Sequence, residues 1–127
     1  MCPEPCVSAP RHRPDPCAIC GITNVAIGIN ALHSNIGGQF NTATGRNALS
    51  SNTTGISNTA TGTDTLSRNT TGGQNTAFGR AALNNNTTGS ENIAIGVAAG
   101  INLTTGSNNI HIGNEGDAAD TDLIRIG

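Results

Sequence analysis

The side chains best suited to chemistry are four cysteines near the start of the chain. Cys2 and Cys6 form one pair, Cys17 and Cys20 form a second pair, and His12 lies between them. Two thiolate pairs at such a separation can bind zinc tetrahedrally. All 5 prolines share the same short stretch, and in an exported protein cysteines of this kind more often form disulfides, within one chain or between protomers. We therefore favour disulfides or free thiols over a zinc site, and chelator sensitivity would distinguish them.

Histidine and carboxylate side chains give no sign of hydrolytic chemistry. His33 and His111 each stand without a nucleophile or paired carboxylate at a repeated nearby position, and a catalytic base needs such a partner. We expect both to be exposed or to lie in loops. Asp64 and Glu91 are the only carboxylates between residues 21 and 114. They occupy different positions of a 17-residue repeat, so we do not expect them to form the close carboxylate pair of a glycosidase. The sequence therefore predicts a noncatalytic protein without a cofactor.

The end of the chain is acidic. Glu115, Asp117, Asp120 and Asp122 face one cation, Arg125. Their oxygens suit calcium, but the spacing fits neither the helix-flanked calcium loop nor the nonapeptide calcium repeat. A solvated cap that blunts an open solenoid end is the favoured interpretation.

The rest of the chain is a repeat with a period of 17 residues. Each unit reads approximately Asn-Thr-Ala-x-Gly-x-x-Ala-Leu-x-x-Asn-Thr-Thr-Gly, and a fixed short period is typical of a stacked solenoid. The asparagines that begin the units are expected to form a ladder; they are Asn24, Asn41, Asn58, Asn75, Asn92 and Asn109.

Two glycines punctuate each unit and predict turns, because glycine adopts backbone conformations that other residues avoid. The first set is Gly28, Gly45, Gly62, Gly79, Gly96 and Gly113. The second set is Gly38, Gly55, Gly72, Gly89 and Gly106.

The segments between the glycines have strand length. The first alternates, with threonine or an aliphatic residue on one face and alanine on the other, which is the period of a strand. The Ala-Leu segment predicts a second strand. Two short strands and two turns in each 17-residue coil predict an all-β fold, a parallel β-solenoid. We expect the threonine and aliphatic face to point inward and the flat alanine face to pack against a neighbouring solenoid.

Composition and charge indicate the domain organisation and restrict the partners. Residues 1–20 form a Pro/Cys-rich arm, residues 21–114 carry the repeats, and residues 115–127 form an acidic cap or connector. The net charge is −2 and there is no lysine or arginine cluster, so no nucleic-acid partner is expected. No apolar run is long enough to span a membrane. No secretion signal is evident at the start, so export is handled elsewhere or the chain is a piece of a longer protein.

Two repeated patterns have alternative interpretations. Thr42-Ala-Thr44 and Thr59-Ala-Thr61 resemble the threonine arrays of ice-binding solenoids, but the expected inward direction of that face argues against ice binding. The glycan acceptor pattern Asn-x-Thr occurs four times, and turn chemistry explains it without glycans. These acceptors are Asn52, Asn69, Asn86 and Asn102.

Several phrases resemble a known family. The stretches Asn24-Val-Ala-Ile-Gly28, Asn75-Thr-Ala-Phe-Gly79 and Asn92-Ile-Ala-Ile-Gly96 resemble the head repeats of YadA-like trimeric autotransporter adhesins. The longer unit is similar to repeats of bacterial surface and phage tail-fibre proteins that precede an endosialidase-type intramolecular chaperone, and residues 109–127 are similar to the segment that joins them. The chaperone domain itself has no counterpart here.

This resemblance implies a left-handed β-roll packed as a homotrimer, on a cell surface or virion fibre. It implies a structural or adhesive function, with a host surface or polysaccharide as a possible ligand. The alternative is a subunit of an extracellular filament or tail fibre, and a polysaccharide-acting enzyme is less favoured. The repeats depart from the adhesin pattern in their longer period and in the threonines at Thr42, Thr44, Thr59 and Thr61.

Overall fold

The computed structural model describes residues 23–127, which form an all-β parallel solenoid. Seven strands of three residues pair in sequence order, all parallel, into one sheet. The predicted fold class is therefore confirmed. The strands are β1 (Val25–Ile27), β2 (Thr42–Thr44), β3 (Thr59–Thr61), β4 (Thr76–Phe78), β5 (Ile93–Ile95), β6 (Ile110–Ile112) and β7 (Ile124–Ile126).

The repeat period becomes the register of the sheet. Ala43 pairs with Ala60 and Ala60 pairs with Ala77, so identical positions of successive coils lie side by side. The last coil is shorter, because Ile110 pairs with Ile124, 14 residues further on. The sheet consequently continues into the acidic segment after residue 114.

Each coil contains one strand, so the prediction of a second strand in the Ala-Leu segment is wrong. That segment consists of turns. Its leucines have left-handed backbone angles, with φ of 52° at Leu32 and 49° at Leu83, which interrupt an extended strand. The coils still bond to each other here, since the Leu32 N–H donates to Ala48 O over 3.0 Å.

The two faces of the strands are reversed relative to our expectation. Ala43 and Ala77 point inward and are 0 % exposed, whereas Ile27 and Phe78 point outward and are 61 % and 59 % exposed. The interior is narrow, and side chains stacked at about 4.8 Å on successive coils leave room only for small groups opposite the leucines. The alanine face is therefore the core and cannot contact a neighbouring solenoid.

The core consists mostly of three inward columns: alanines from the strands, alanines from the turns and leucines from the turns. None of these columns contains an aromatic residue, which is how a chain with 2 phenylalanines and no tryptophan or tyrosine forms a core. The buried apolar residues are Ala31, Leu32, Ala43, Ala48, Leu49, Ala60, Leu66, Ala77, Ala82, Leu83, Ala94, Ala99 and Leu103.

Asparagine amides bridge the coils beside this core. The Asn58 side chain donates from Nδ2 to Asn41 Oδ1 (3.1 Å) and to Gly72 O (2.8 Å), and Asn41 Oδ1 also accepts the Asn58 backbone N–H (2.9 Å). Asn41 and Asn58 are 0 % exposed. Buried amides tolerate the interior only when their polar atoms are paired. The same contacts recur along the column, so the asparagines join each coil to the next.

The glycines have two different physical roles. In the first set the backbone is in a region that glycine favours, with φ of 131° at Gly28 and 136° at Gly62. In the second set no φ is positive, and a Cβ on Gly38 would lie 2.5 Å from Gly55 O. The second set is therefore required by the close approach of neighbouring coils, and the prediction of an unusual turn conformation there is wrong.

Candidate functional site

One feature of the surface is the outer side of the sheet, which we call the strand face. It consists of two columns that run along the solenoid, one from the first residue of each strand and one from the third. The first column is Val25, Thr42, Thr59, Thr76, Ile93, Ile110 and Ile124. The second column is Ile27, Thr44, Thr61, Phe78, Ile95, Ile112 and Ile126.

The strand face carries no charged side chain. It is apolar in β1 and from Phe78 of β4 onward, with Ile27 61 %, Phe78 59 % and Ile126 72 % exposed. Threonines occupy both outward positions of β2 and β3 and the first position of β4. Seven strands about 4.8 Å apart give a flat surface about 29 Å long. A contiguous apolar surface of this kind is typical of an interaction site.

The other sides of the solenoid are mostly polar, although large apolar side chains are also exposed there, among them Ile29, Ile36, Phe40, Ile56 and Val97. A column of exposed threonines, including Thr71 and Thr88, follows the turn before the second glycine of each coil. The adjacent threonines bond to the next coil, as Thr70 Oγ1 does to Thr87 O over 3.1 Å. Charges are sparse here, and Arg46 lies 3.9 Å from Asp64 on the surface.

The predicted glycan acceptors occupy two different environments. Asn52, Asn69 and Asn86 are 0 % exposed, and their amides bond to glycine carbonyls and to each other. Asn102 is exposed. Leu103 replaces the next asparagine of the buried column, so Asn86 Oδ1 lacks a hydrogen-bond partner.

A second feature is a buried cluster in the last coil. His111 occupies the alanine column, where it is 0 % exposed, and neither ring nitrogen has a hydrogen-bond partner among residues 23–127. The expectation of an exposed or loop histidine is therefore wrong for His111, whereas His33 is exposed. The nearest charged atom is Asp120 Oδ2, 3.8 Å from His111 Nε2.

Asp120 belongs to a network with Arg125 and Asp117. The Arg125 guanidinium donates to Asp120 Oδ2 and Oδ1 over 2.7 and 2.8 Å, and to Asp117 Oδ2 over 2.9 Å. Asp120 is 5 % exposed, and its hydrogen bond with Arg125 lowers the pKa of its carboxyl below the ordinary value. Burial lowers the pKa of His111. The acidic segment is thus partly an internal ion pair and not wholly solvated.

Within residues 23–127 no three histidine, cysteine or acidic side chains are grouped to hold a metal. The proposed zinc ligands Cys2, Cys6, Cys17 and Cys20 lie outside the described residues.

Asp64 accepts a hydrogen bond from Asn47, while Glu91 is exposed at a different corner of its coil. The part of the chain that is described also contains no helix of the length and hydropathy needed to cross a membrane.

Sequence reasoning missed both the direction of the strand face and the burial of His111. A signal for each was present. The outward columns vary from threonine to phenylalanine while the alanine column stays constant, and a packed interior does not tolerate such a change of volume. For His111, the signal was a pair of replacements: His111 replaces an alanine of one column, and Gly100 replaces a leucine of another.

Comparisons of the chain with protein-family models, with curated proteins and with solved structures find no match. The functional argument therefore depends on the surfaces of the solenoid.

Proposed function

We propose that this chain is a noncatalytic structural rod that associates with copies of itself through the strand face. In this proposal it forms part of an extracellular adhesin or fibre and presents its polar corners to a host surface or polysaccharide. The observation that carries the proposal is the uncharged, largely apolar strand face. The adhesin or fibre context comes from the resemblance of the repeats.

The strand face favours a partner because its apolar side chains are large and contiguous. From β4 to β7 the outward positions are Phe78 and isoleucines, apart from Thr76. Ile124 is 69 % exposed and Ile95 is 44 % exposed. Covering this surface removes apolar area from water at about 25 cal/mol per Å². Burial of this kind is the main driving force of protein association.

A second copy of the chain is the partner that the chemistry favours. Two like-charged surfaces repel, but the strand face has no charge, so identical faces can meet without electrostatic cost. The columns also repeat at the same spacing in every copy. The resemblance to trimeric adhesin repeats makes three copies the proposed number.

The polar corners suit the presentation role. Their exposed threonines, such as Thr71 and Thr88, recur at the spacing of the coils. The neighbouring hydroxyls bond within the solenoid, as Thr53 Oγ1 does to Thr70 O, so the surface is rigid as well as polar. A rigid array of hydroxyl groups is suited to repeated weak contacts with a polysaccharide, where multivalency raises the affinity.

The test is the mass of the protein in solution, measured by light scattering with and without reducing agent. We expect three times the mass of one chain for the wild type. Ile95→Asp places a charge in the strand face and should give monomers. The matched control is Ile36→Asp, because Ile36 is 73 % exposed and lies away from the strands. A monomeric wild type, or equal disruption by both variants, would contradict the proposal.

Ice binding is a second candidate, because the threonines that we expected to point inward point outward. Thr42, Thr44, Thr59 and Thr61 lie on the outward strand face. Phe78 replaces threonine in the second column of the next strand, β4, and is 59 % exposed. This interruption of the threonine array makes self-association the favoured function. Thermal hysteresis that disappears in Thr44→Asp would support ice binding, and its absence in the wild type would exclude it.

A further inference from the structure

We infer that protonation of His111 opens residues 113–127, which we call the closing segment, so that the last coil responds to mild acid. This inference does not depend on the proposed self-association. It follows from the position of the histidine, from the acceptor atoms around it and from the weak apolar anchoring of the segment that covers it.

The His111 ring is enclosed from both sides. Gly100 of the preceding coil packs against it, and a Cβ there would lie 3.4 Å from His111 Cδ2. Gly116 of the closing segment covers the other side, where a Cβ would lie 2.6 Å from Cε1. Water can therefore reach the ring only after the closing segment moves.

Protonated His111 would find no free acceptor. The nearest carboxylate oxygen, Asp120 Oδ2, is 3.8 Å from Nε2. That oxygen already accepts from Arg125 Nε over 2.7 Å and from the Asp117 N–H over 3.0 Å. A buried charge without a hydrogen bond is costly, so the protonated ring favours an open state in which water solvates it.

In the described part of the chain, the charged groups that face His111 all come from the closing segment. They are Asp120 and Asp117, which attract a protonated ring, and Arg125, which repels it. In the preceding coil, Ala94 and Gly100 contribute no charge. Desolvation outweighs the attraction of the two carboxylates, and the pKa of His111 is lowered.

The closing segment is weakly anchored. Its apolar side chains stay in water, with Leu123 42 %, Ile124 69 % and Ile126 72 % exposed, and its one buried side chain is that of Asp120. Hydrogen bonds hold it, such as Gly100 N–H to Asn114 O and Ile110 N–H to Leu123 O, both 2.8 Å. Segments with few buried apolar contacts open at lower free energy than the core.

The direction of the pH effect follows from the lowered pKa. The closed state of the last coil favours neutral His111. The contribution of His111 to the stability of that state is therefore fully present above about pH 6.5, where an unperturbed histidine titrates. Stability is lost as the pH falls below that value toward the folded pKa. Asp120 stays ionised in this range, because its hydrogen bond with Arg125 lowers the pKa of its carboxyl below the ordinary value.

Amide hydrogen exchange of the full chain, followed by NMR at about pH 7.5 and about pH 5.5, tests the inference in the range where histidine changes charge. The reporters are the amides of Gly100, Asn102 and Ile110, which donate to the closing segment. After correction for intrinsic rates, their opening should rise in acid, by at most about tenfold at pH 5.5, because this pH is about one unit below the ordinary histidine pKa. The amides of Thr59 and Thr76 in the middle coils should not change.

Two controls identify His111 as the cause. The double variant Gly100→Leu/His111→Ala restores the leucine and alanine of the earlier coils and should abolish the acid response. The His111 imidazole titration in the wild type needs no variant and should give a pKa below that of the peptide Ile-His-Ile-Gly. An equal or higher pKa, or an unchanged acid response in the double variant, would overturn the inference.

Discussion

Gly100 lies against the imidazole ring of His111. Gly100 is smaller than the leucines of its column, and His111 is larger than the alanines of its column. The other coils carry a leucine and an alanine at the corresponding positions, as in Leu83 and Ala94. A Cβ added to Gly100 would approach His111 Cδ2 to 3.4 Å and Leu83 Cδ2 to 2.9 Å. The missing leucine thus makes room for the histidine.

This exchange predicts a non-additive pair of substitutions. Gly100→Leu alone should destabilise the chain by about 1–3 kcal/mol, because the new side chain overpacks the site. His111→Ala in the same chain should recover most of that loss, since the pair then matches the earlier coils. Urea denaturation of both single variants and the double variant measures the coupling, and simple additivity would refute this packing relationship.

The asparagine column predicts a large cost for removing one amide from its middle. The Asn75 side chain donates to Asn58 Oδ1 (3.0 Å) and Gly89 O (2.9 Å), and accepts from the Asn92 N–H (3.0 Å). Asn75→Ala leaves these buried groups unpaired and should cost about 3–4 kcal/mol. The control is Asn85→Ala, because Asn85 is only partly buried and lies outside the amide ladder, and this variant should stay within about 0.5 kcal/mol. Thermal or urea unfolding that gave equal effects would contradict this role of the amide ladder.

Left-handed backbone at Ala81 predicts a stabilising substitution. Its φ is 60°, and the same position of the earlier coils holds Asn47 and Asp64, which tolerate this region better. Ala81→Gly should therefore raise the free energy of unfolding by about 0.5–1 kcal/mol. Ala82→Gly is the matched control, because Ala82 is buried without a positive φ, and it should destabilise. A loss of stability in both variants would show that the left-handed conformation carries no strain at Ala81.

The Arg125–Asp120 pair predicts a pH-dependent cost. Arg125→Met leaves the nearly buried Asp120 carboxylate without its main donor and should cost about 1–3 kcal/mol at neutral pH. In the wild type the lowered pKa of Asp120 means that its contribution is present above the ordinary value and lost as the pH falls through the folded pKa. In the variant the remaining desolvation favours the protonated acid.

The difference in stability between wild type and Arg125→Met should consequently shrink as the pH falls from neutral toward the aspartate range. Urea denaturation at several pH values measures it. Because Arg125 also repels protonated His111, both chains should carry His111→Ala for this comparison. A difference that stayed constant with pH would show that Arg125 acts through packing alone.

The repeat period was sufficient to predict the parallel solenoid, because a coil of constant length brings Asn41 and Asn58 into the same position. It was not sufficient to predict which strand face is buried. Alternation in Thr42-Ala43-Thr44 defines two faces, and the preference of threonine and isoleucine for strands holds on either one. The constant volume of the alanine column, compared with Phe78 in the outward column, carries the missing information.

The second predicted strand failed for a local reason. The Ala-Leu pattern has the composition of a short buried strand, but Asn30 and Leu32 both adopt a positive φ. Asparagine often does so and leucine rarely does, so tertiary packing of the leucine into the core decides its backbone conformation. His111 was misjudged because a single histidine in an alanine column has no periodic signal, and its space is created by Gly100 from another part of the unit.

The register of one coil on the next also constrains how such a chain can lengthen during evolution. Since Ala43 meets Ala60 and Ala60 meets Ala77 in the same geometry, unequal recombination that duplicates or deletes a whole unit leaves every junction intact. The rod then grows or shrinks by about 4.8 Å per unit. A frame-preserving insertion of any other length would interrupt the stack, so gene variants of this protein should differ by entire units.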